Sequence, residues 1–397
     1  MPGFERFGDQ ERQEVQDVLD NGVLMRYGFD GMRNGHWKAK SLEAALQETF
    51  NVKHAQLVSS GTAAVSVALA AAGVGAGDEV IMPTFTFVAS FEAITMLGAI
   101  PVLVDIDDTL TLDPKAVEAA ITPKTKAVMV VQMCGSMGDM NALQTVCDTH
   151  NLLLVEDACQ AIGGTYNGKA LGSIGDLGCF SFDFVKTVTC GEGGAVITNT
   201  TEYYTHADHY SDHGHDHVGS DRGAETHPFL GYNFRISELH AAVGLAQIKR
   251  LPEFLAVQKK NYTTLRDALS QIPEVTFRTV PEGGEESYAF LNFYLPDLEA
   301  ARKASKGFKE AGVDVCFHYY DNNWHYVRKW EHLKNVKSLY PVSPAVKEGL
   351  ETLSNKTFEQ SDHYIARNIS ALIKLSWTEE EVMERASKMV AVIKASI

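Results

Sequence analysis

Between Leu152 and Asn199 lie the residues whose types and spacing could carry chemistry: two adjacent acids, a lone lysine, a hydroxyl shortly before it and a glycine cluster after it. The apolar run Leu152–Val155 ends abruptly in Glu156 and Asp157. A short apolar run bounded by polar residues suits a strand buried in a sheet covered on both faces. Ligand groups in such sheets sit just past the carboxyl ends of the strands, which is where Asp157 falls. Phe180-Ser181-Phe182 reads as another short strand, and it leads to Lys186, the only cation after Lys169 in this stretch. A lysine set among apolar and small residues becomes a nucleophilic amine when desolvation removes its proton. Gly191, Gly193 and Gly194 then allow a close backbone turn beside whatever that amine holds.

Other elements must position these groups. Ala55–Ser60 reads as a strand running into Gly61-Thr62 and an alanine-rich helix, Ala63–Ala72. Free amides and the helix dipole then face one point, which makes an anion site. Neither the P-loop spacing nor a dinucleotide fingerprint is present. Strand-like runs recur at Glu79–Met82, Val102–Val104 and Ala127–Val131, with helical patterns at Ala89–Leu97 and Pro114–Ile121 between them. Such alternation implies βαβ units and a mostly parallel sheet. Phe85 and Phe87 follow Pro83, and Phe85 reads as a core residue.

Near the start, Gln10–Leu24 has Val15, Val18 and Leu19 at helical spacing. The segment Met25–Lys40 is rich in glycine, aromatics and cations and reads as a loop. It is either a pocket wall offering Arg26, Arg33 or Lys38 to an anion, or a solvated surface loop. Ser41 reads as the cap of a helix bearing Leu42, Ala45, Leu46 and Phe50. One long amphipathic helix is expected from Ile236 to about Leu269. Beyond Lys259, strands are expected at Val275–Val280, Phe290–Leu295 and Val313–Tyr320, and a final helix at Glu379–Ala395.

With 397 residues the chain can bury a large core, and two lobes are expected. A net charge of −16 argues against nucleic acid or an anionic membrane as partner. No apolar run approaches membrane-span length. The six cysteines, at 134, 147, 159, 179, 190 and 316, show no paired short spacing, which fits reduced thiols in a cytoplasmic protein. His213-Gly-His215-Asp-His217 could suggest zinc, but no HExxH helix or thiol pair accompanies it, so no metal is expected. A proton-handling or substrate-contacting role for His213 or His215 fits better.

Taken together, Asp157-Ala158-Cys159-Gln160, Ser181 five positions before Lys186, and Gly191-Glu192-Gly193-Gly194 resemble the pyridoxal-phosphate core of the DegT/DnrJ/EryC1/StrS sugar aminotransferases. The resemblance runs from Asn51 to Ile397, and Ser60-Gly61-Thr62 is similar to the family's phosphate cup. It implies an α/β chain of fold type I, with a mostly parallel central sheet flanked by helices. A large cofactor domain would span 1–258, with an N-terminal arm, and a smaller α+β domain 259–397. It implies pyridoxal 5'-phosphate as cofactor, held covalently by Lys186, whose freed amine moves the proton. Asp157 would keep the ring nitrogen protonated, Gln160 would contact the ring's substituent side, and Phe87 would lie on the ring. Gly61, Thr62, Ser181 and Asn233 would hold the phosphate, Asn233 from the neighbouring subunit of a homodimer with a shared active site. The partners implied are glutamate with 2-oxoglutarate, and a sugar.

The sugar is read from local stretches. The MRYGFDGMRNGHWK loop, SDHGHDH and NNWHY at Asn322–Tyr326 resemble most those family members that aminate C8 of an oxidised Kdo sugar. That reaction gives 8-amino-3,8-dideoxy-manno-octulosonate for lipopolysaccharide. Arg33 would then meet the sugar carboxylate, and His213, His215 and His325 would line the substrate. A nucleotide-linked 3- or 4-keto hexose is the alternative sugar. Two other classes stay open, a non-catalytic cofactor-binding regulator and a His-rich metal hydrolase. The chain departs from the family in its longer Met25–Lys40 loop and at Gln132-Met-Cys-Gly135, where no catalytic role is given to Cys134.

Overall fold

A computed structural model describes residues 2–219 and 223–397. The strands β1 (His54–Val58), β2 (Glu79–Pro83), β3 (Ile100–Val104), β4 (Thr125–Val131) and β5 (Leu153–Asp157) come first. A small hairpin follows, β6 (Thr165–Tyr166) with β7 (Lys169–Ala170), and then β8 (Leu177–Ser181) and β9 (Gly194–Thr198). The central sheet has the order β1-β9-β8-β5-β4-β2-β3. All pairs from β8 to β3 are parallel, while β9 runs antiparallel to both its neighbours. The apolar runs predicted for these strands are buried along nearly their whole length, as a sheet covered on both faces requires.

Register decides what the sheet presents at its carboxyl edge. Gly194 of β9 pairs with Ser181 of β8 on one side and with Val58 of β1 on the other. The end of β8 and the turn after β1 are thereby brought to one place. Asp157 ends β5 two strands away and pairs with Cys179. A Cβ on Gly194 would lie 2.3 Å from the Ser60 carbonyl oxygen, so only glycine lets the three segments approach this closely.

A second sheet, of order β10-β12-β14-β13, joins β10 (Thr276–Phe277), β12 (Phe290–Tyr294), β13 (Cys316–Phe317) and β14 (Asn368–Leu372), all antiparallel. Between β10 and β12 in the chain, β11 (Gly284–Glu285) pairs with β6. The Leu251–Leu269 and Glu379–Ser396 helices pack with this second sheet around Leu265, Leu269, Phe293 and Met389. The proposed boundary between 258 and 259 falls inside the first of these helices. Residues from the C-terminal part, among them Tyr319, Tyr326, Trp330 and Val346, share a core with Val80, Met82 and Phe91 beside the central sheet.

Four local expectations are corrected. The helix expected over Ile236–Leu269 is two helices, Glu238–Lys249 and Leu251–Leu269. Pro252 lacks a backbone N–H and sits in the first turn of the second, where that loss costs nothing. Ser41 is no cap, because the helix begins at Lys38. Its first amides, of Lys38 and Ala39, donate to the Glu238 carboxylate at 2.6 and 3.2 Å, so the cap comes from 200 residues away. The strands expected at Val275–Val280 and Val313–Tyr320 shrink to two residues each. Leu19 is 56% exposed, leaving Val18 as the buried apolar residue of the first helix.

Candidate active site

The Gly61–Ala71 helix begins where β1 ends, with Ser60 as its cap: the Ala63 amide donates to Ser60 Oγ at 3.0 Å. A Cβ on Gly61 would meet Ser181 Cβ at 2.6 Å and Ser181 Oγ at 2.8 Å. The bare backbone of Gly61 therefore lets the helix N-terminus and the Ser181 hydroxyl share one cradle, with Thr62 half-buried beside it. Free amides and a hydroxyl converging at a helix start favour a phosphate.

Asp157 is buried, and its carboxylate is held by two donors. The Ser90 hydroxyl donates to Oδ2 at 2.6 Å and the Cys159 amide to Oδ1 at 3.2 Å. Thr86 in turn donates to Ser90 Oγ at 2.8 Å. Neither hydroxyl was singled out in the sequence. Their spacing of four residues just past β2, which puts both on one side of the Val88–Met96 helix start, was the available signal. Glu156, pointing the other way, accepts the amides of Gly172, Ile174 and Gly175 at 2.7–2.8 Å and orders that loop. Burial pushes its carboxyl upward in spite of these donors.

Gln160 Oε1 accepts the Cys134 amide at 3.1 Å. An amide N–H can bond only to the oxygen end, so Gln160 is left with its NH2 as a donor. The Cys134 backbone takes a left-handed conformation, φ 53°, to present that amide, and its carbonyl accepts from Asn292 Nδ2 at 3.0 Å. Burial pushes the Cys134 thiol up to about 12, which fits a structural residue.

Lys186 is half-buried in the turn after β8, and its neighbours Phe184 and Val185 are 52% and 46% exposed. The enclosing apolar wall expected from sequence is thus open in the single chain. The turn is held by the N-terminal segment, which the sequence reading left unused. The Gly3 amide donates to the Lys186 carbonyl at 2.9 Å, and Phe4 stacks on Phe184 at 4.2 Å. A Cβ on Gly3 would strike the Thr187 carbonyl at 2.4 Å.

His325 closes the far side. Its ring is 8% exposed and lies against Tyr319, Trp324 and Phe87, with centroids at 4.7, 5.2 and 5.5 Å. Burial, with the Lys186 ammonium nearby, drives its pKa down to about 3, so the imidazole is neutral. Expected as a substrate ligand, it is instead a buried wall edge-on to Phe87. Phe87 keeps 39% exposure, whereas Phe85 is fully buried, as its core reading required.

Asn233 is exposed, and its Oδ1 accepts the amide of Arg235 at 3.2 Å. The adjacent Phe234 carbonyl accepts the Ser59 amide at 2.7 Å, so this segment borders the Gly61 cradle of its own chain. Among the histidines, His213 is exposed in a left-handed turn, φ 55°, and bonds the 232 carbonyl through its backbone. His215 Nδ1 lies 2.8 Å from Glu225 Oε2. His217 bridges two carboxylates, with Nδ1 2.8 Å from Asp208 and Nε2 3.1 Å from Asp212. Burial alone would lower its pKa, but the two carboxylates outweigh that and raise it to about 9.

Arg33 is corrected. It is 0% exposed, donates to the carbonyls of Gly28, Met25 and Tyr27, faces Glu238 at 3.5 Å and lies over the Trp37 ring at 3.8 Å. Arg26 is spent on Glu43 and the Leu57 carbonyl, and Lys38 on Glu14 and Asp17. These three cations pair with acids within the chain, and none of them is open to a ligand.

The family model described as DegT/DnrJ/EryC1/StrS aminotransferase family matches residues 6–357. The chain is 39% identical over 291 residues to L-glutamine:2-deoxy-scyllo-inosose aminotransferase of Streptoalloteichus tenebrarius, covering 71% of this chain and 68% of that protein. It is 34% identical over 335 residues to GDP-perosamine synthase of Vibrio cholerae, covering 84% and 87%. Among solved structures, an aminotransferase from Psychrobacter cryohalolentis superposes with a TM-score of 0.85 at 27% identity, over 98% of both chains.

Proposed function

The chain belongs to the DegT/DnrJ/EryC1/StrS aminotransferase family, and from that premise we propose which residues serve the reaction and which sugar is the acceptor. It is a pyridoxal-phosphate-dependent sugar aminotransferase of fold type I. The residues present fit the cofactor, because the Gly61–Ser181 cradle is one that any Cβ would fill and it stands at a helix N-terminus. When bound, pyridoxal phosphate supplies an electron sink for negative charge on the carbon beside the amine.

Gly61, Thr62 and Ser181 hold the phosphate, and Asp157, fixed by Ser90 and Cys159, faces the ring nitrogen. Gln160 donates its NH2 to the oxygen substituent of the ring, an orientation that its bond to the Cys134 amide supports. The exposed face of Phe87 supports stacking on the ring, with His325 holding its edge. Lys186 Nζ would anchor the cofactor and, once freed, would carry the proton from the donor carbon to the cofactor carbon. A neutral His325 adds no second positive charge beside it. The amino donor is glutamate, leaving as 2-oxoglutarate.

Asn233 reaches the phosphate of a neighbouring subunit, giving a homodimer with a shared site. Its exposure, next to the exposed apolar Leu230 and Tyr232, supports that reading, as does the exposure of Phe184 and Val185 in the Lys186 turn. A cytoplasmic location belongs to the same proposal.

The acceptor is the C8 aldehyde of an oxidised octulosonate. Its support is the local resemblance of three stretches, of which NNWHY lies against Phe87 and SDHGHDH is bonded to the Tyr232–Asn233 segment. The basic loop adds no support through Arg26, Arg33 or Lys38, which are buried. A nucleotide-linked keto hexose is the second reading, favoured by the likeness to GDP-perosamine synthase. The observation that carries the aminotransferase reading is the cradle set beside Asp157 on one sheet edge. Glutamate should bleach the holoenzyme's visible band, and Lys186→Ala should abolish this while folding normally. For the sugar, the oxidised octulosonate and a GDP-linked keto hexose are offered in competition. Turnover of the nucleotide sugar alone removes the octulosonate assignment.

A further inference from the structure

Asp157 can serve a ring nitrogen only if its carboxylate keeps one orientation, and a carboxylate at a strand end has two free torsions. The donors around it remove that freedom. Each hydroxyl has a single proton, so the direction of the chain can be read. The contact from Ser90 to Asp157 Oδ2, at 2.6 Å, is the shortest that Ser90 makes, and the Ser90 hydroxyl is its donor. The Ser90 proton is therefore committed to Asp157. Ser90 Oγ is then left as an acceptor for Thr86, whose Oγ1 lies at 2.8 Å, closer than its other acceptor, the Phe87 carbonyl at 3.2 Å. Thr86 is fully buried and Ser90 is 2% exposed, so water does not compete for either bond. The Thr86 amide donates to the His325 carbonyl at 2.9 Å, which ties this relay to the wall behind Phe87.

We propose that Thr86 and Ser90 form a directional hydroxyl relay that fixes the rotamer of Asp157, and that Ser90 is a positioning residue of the transamination. The inference rests on the reading that Asp157 meets the ring nitrogen. Hydrogen bonds in series polarise one another, and a charge-assisted one is roughly twice as strong as a neutral one. Oδ2 takes Ser90 and Oδ1 takes the Cys159 amide, and each oxygen keeps a second acceptor position for the ring. The relay leads from the aromatic wall to the acid without touching the substrate.

The test is binding of pyridoxamine phosphate to apoenzyme, together with the pH midpoint of the holoenzyme's visible band. Ser90→Ala should weaken that binding about tenfold or more, the usual range for a hydrogen bond to a charged group. It should also raise the midpoint, because a less firmly held positive charge on the ring repels a second proton less. Thr86→Ala should act in the same direction more weakly, and Thr86→Ser should restore wild-type values. In an Asp157→Asn background Ser90→Ala should add little, since its route is gone. Wild-type binding and midpoint in Ser90→Ala, or full additivity with Asp157→Asn, overturns the relay. If Asp157→Asn alone changes neither quantity, it is the ring-nitrogen assignment that fails, and the relay with it.

Discussion

At the scale of single residues, Arg33 shows how far position outweighs residue type. In the sequence it is a cation in a glycine-rich loop, free to meet a sugar carboxylate. In the structure its guanidinium has left water, and three carbonyls, Glu238 and the Trp37 ring hold it. Arg33→Ala should therefore act on stability. Removing one partner of a buried ion pair leaves the other uncompensated, at a cost of roughly 3–5 kcal/mol. Urea unfolding should show this loss, while the sugar half-reaction per folded molecule stays near the parent rate. A selective loss of the sugar half-reaction, with stability kept, would return Arg33 to the pocket. That Asp157 ends a strand and that Lys186 lies in the turn after another was legible, because the apolar runs before them mark those strands. Ser90 and Thr86 were not, because hydroxyls are common and their value depends on an acid 67 residues away.

At the scale of elements, the Thr201–Ser211 helix is bound to the N-terminal loop through His217. Its ring bridges Asp208 and Asp212 and packs at a tilt on Tyr27, centroids 4.1 Å apart, while the Tyr27 hydroxyl donates to Asp208 at 3.0 Å. The folded pKa of about 9 lies above the unfolded value near 6.5. The proton is thus held more tightly in the folded state, and its stabilisation is complete below the unfolded value. That stabilisation fades as pH rises through about 9, where the folded imidazolium loses its proton. Thermal unfolding followed across that range should show a falling midpoint, and His217→Gln should flatten the dependence. An unchanged slope in His217→Gln would place the titrating group elsewhere.

At the scale of the molecule, the surface around the site is incomplete as a single chain. Phe184, Val185, Leu230 and Tyr232 are all exposed, by 46–93%, near the Lys186 turn and Asn233. Exposed apolar groups of this kind commonly mark an interface. The expected outcome is a dimer by sedimentation, and a charge placed at Val185 should yield monomers. Those monomers should bind pyridoxamine phosphate more weakly, because the proposed neighbour's Asn233 is lost. A monomer with full cofactor affinity would set the shared site aside.

The strands, the alanine-rich helix and the order of the site motifs were determined by the sequence itself, because burial on both faces and 3.6-residue periodicity are written in nearby residues. The parallel sheet followed from their alternation. Long-range partners decided the rest. Glu238 starts a helix 200 residues away and so displaces the cap expected at Ser41. Pro252 divides one helical pattern into two because a backbone donor is missing there. Gly194 sets the Gly61 turn against Ser181 only through strand register, which no local window contains. The fate of each charge was likewise settled by tertiary structure. Whether a cation meets a ligand or a buried acid depends on which carboxylate folding brings within a few ångströms, and composition alone holds no such distance.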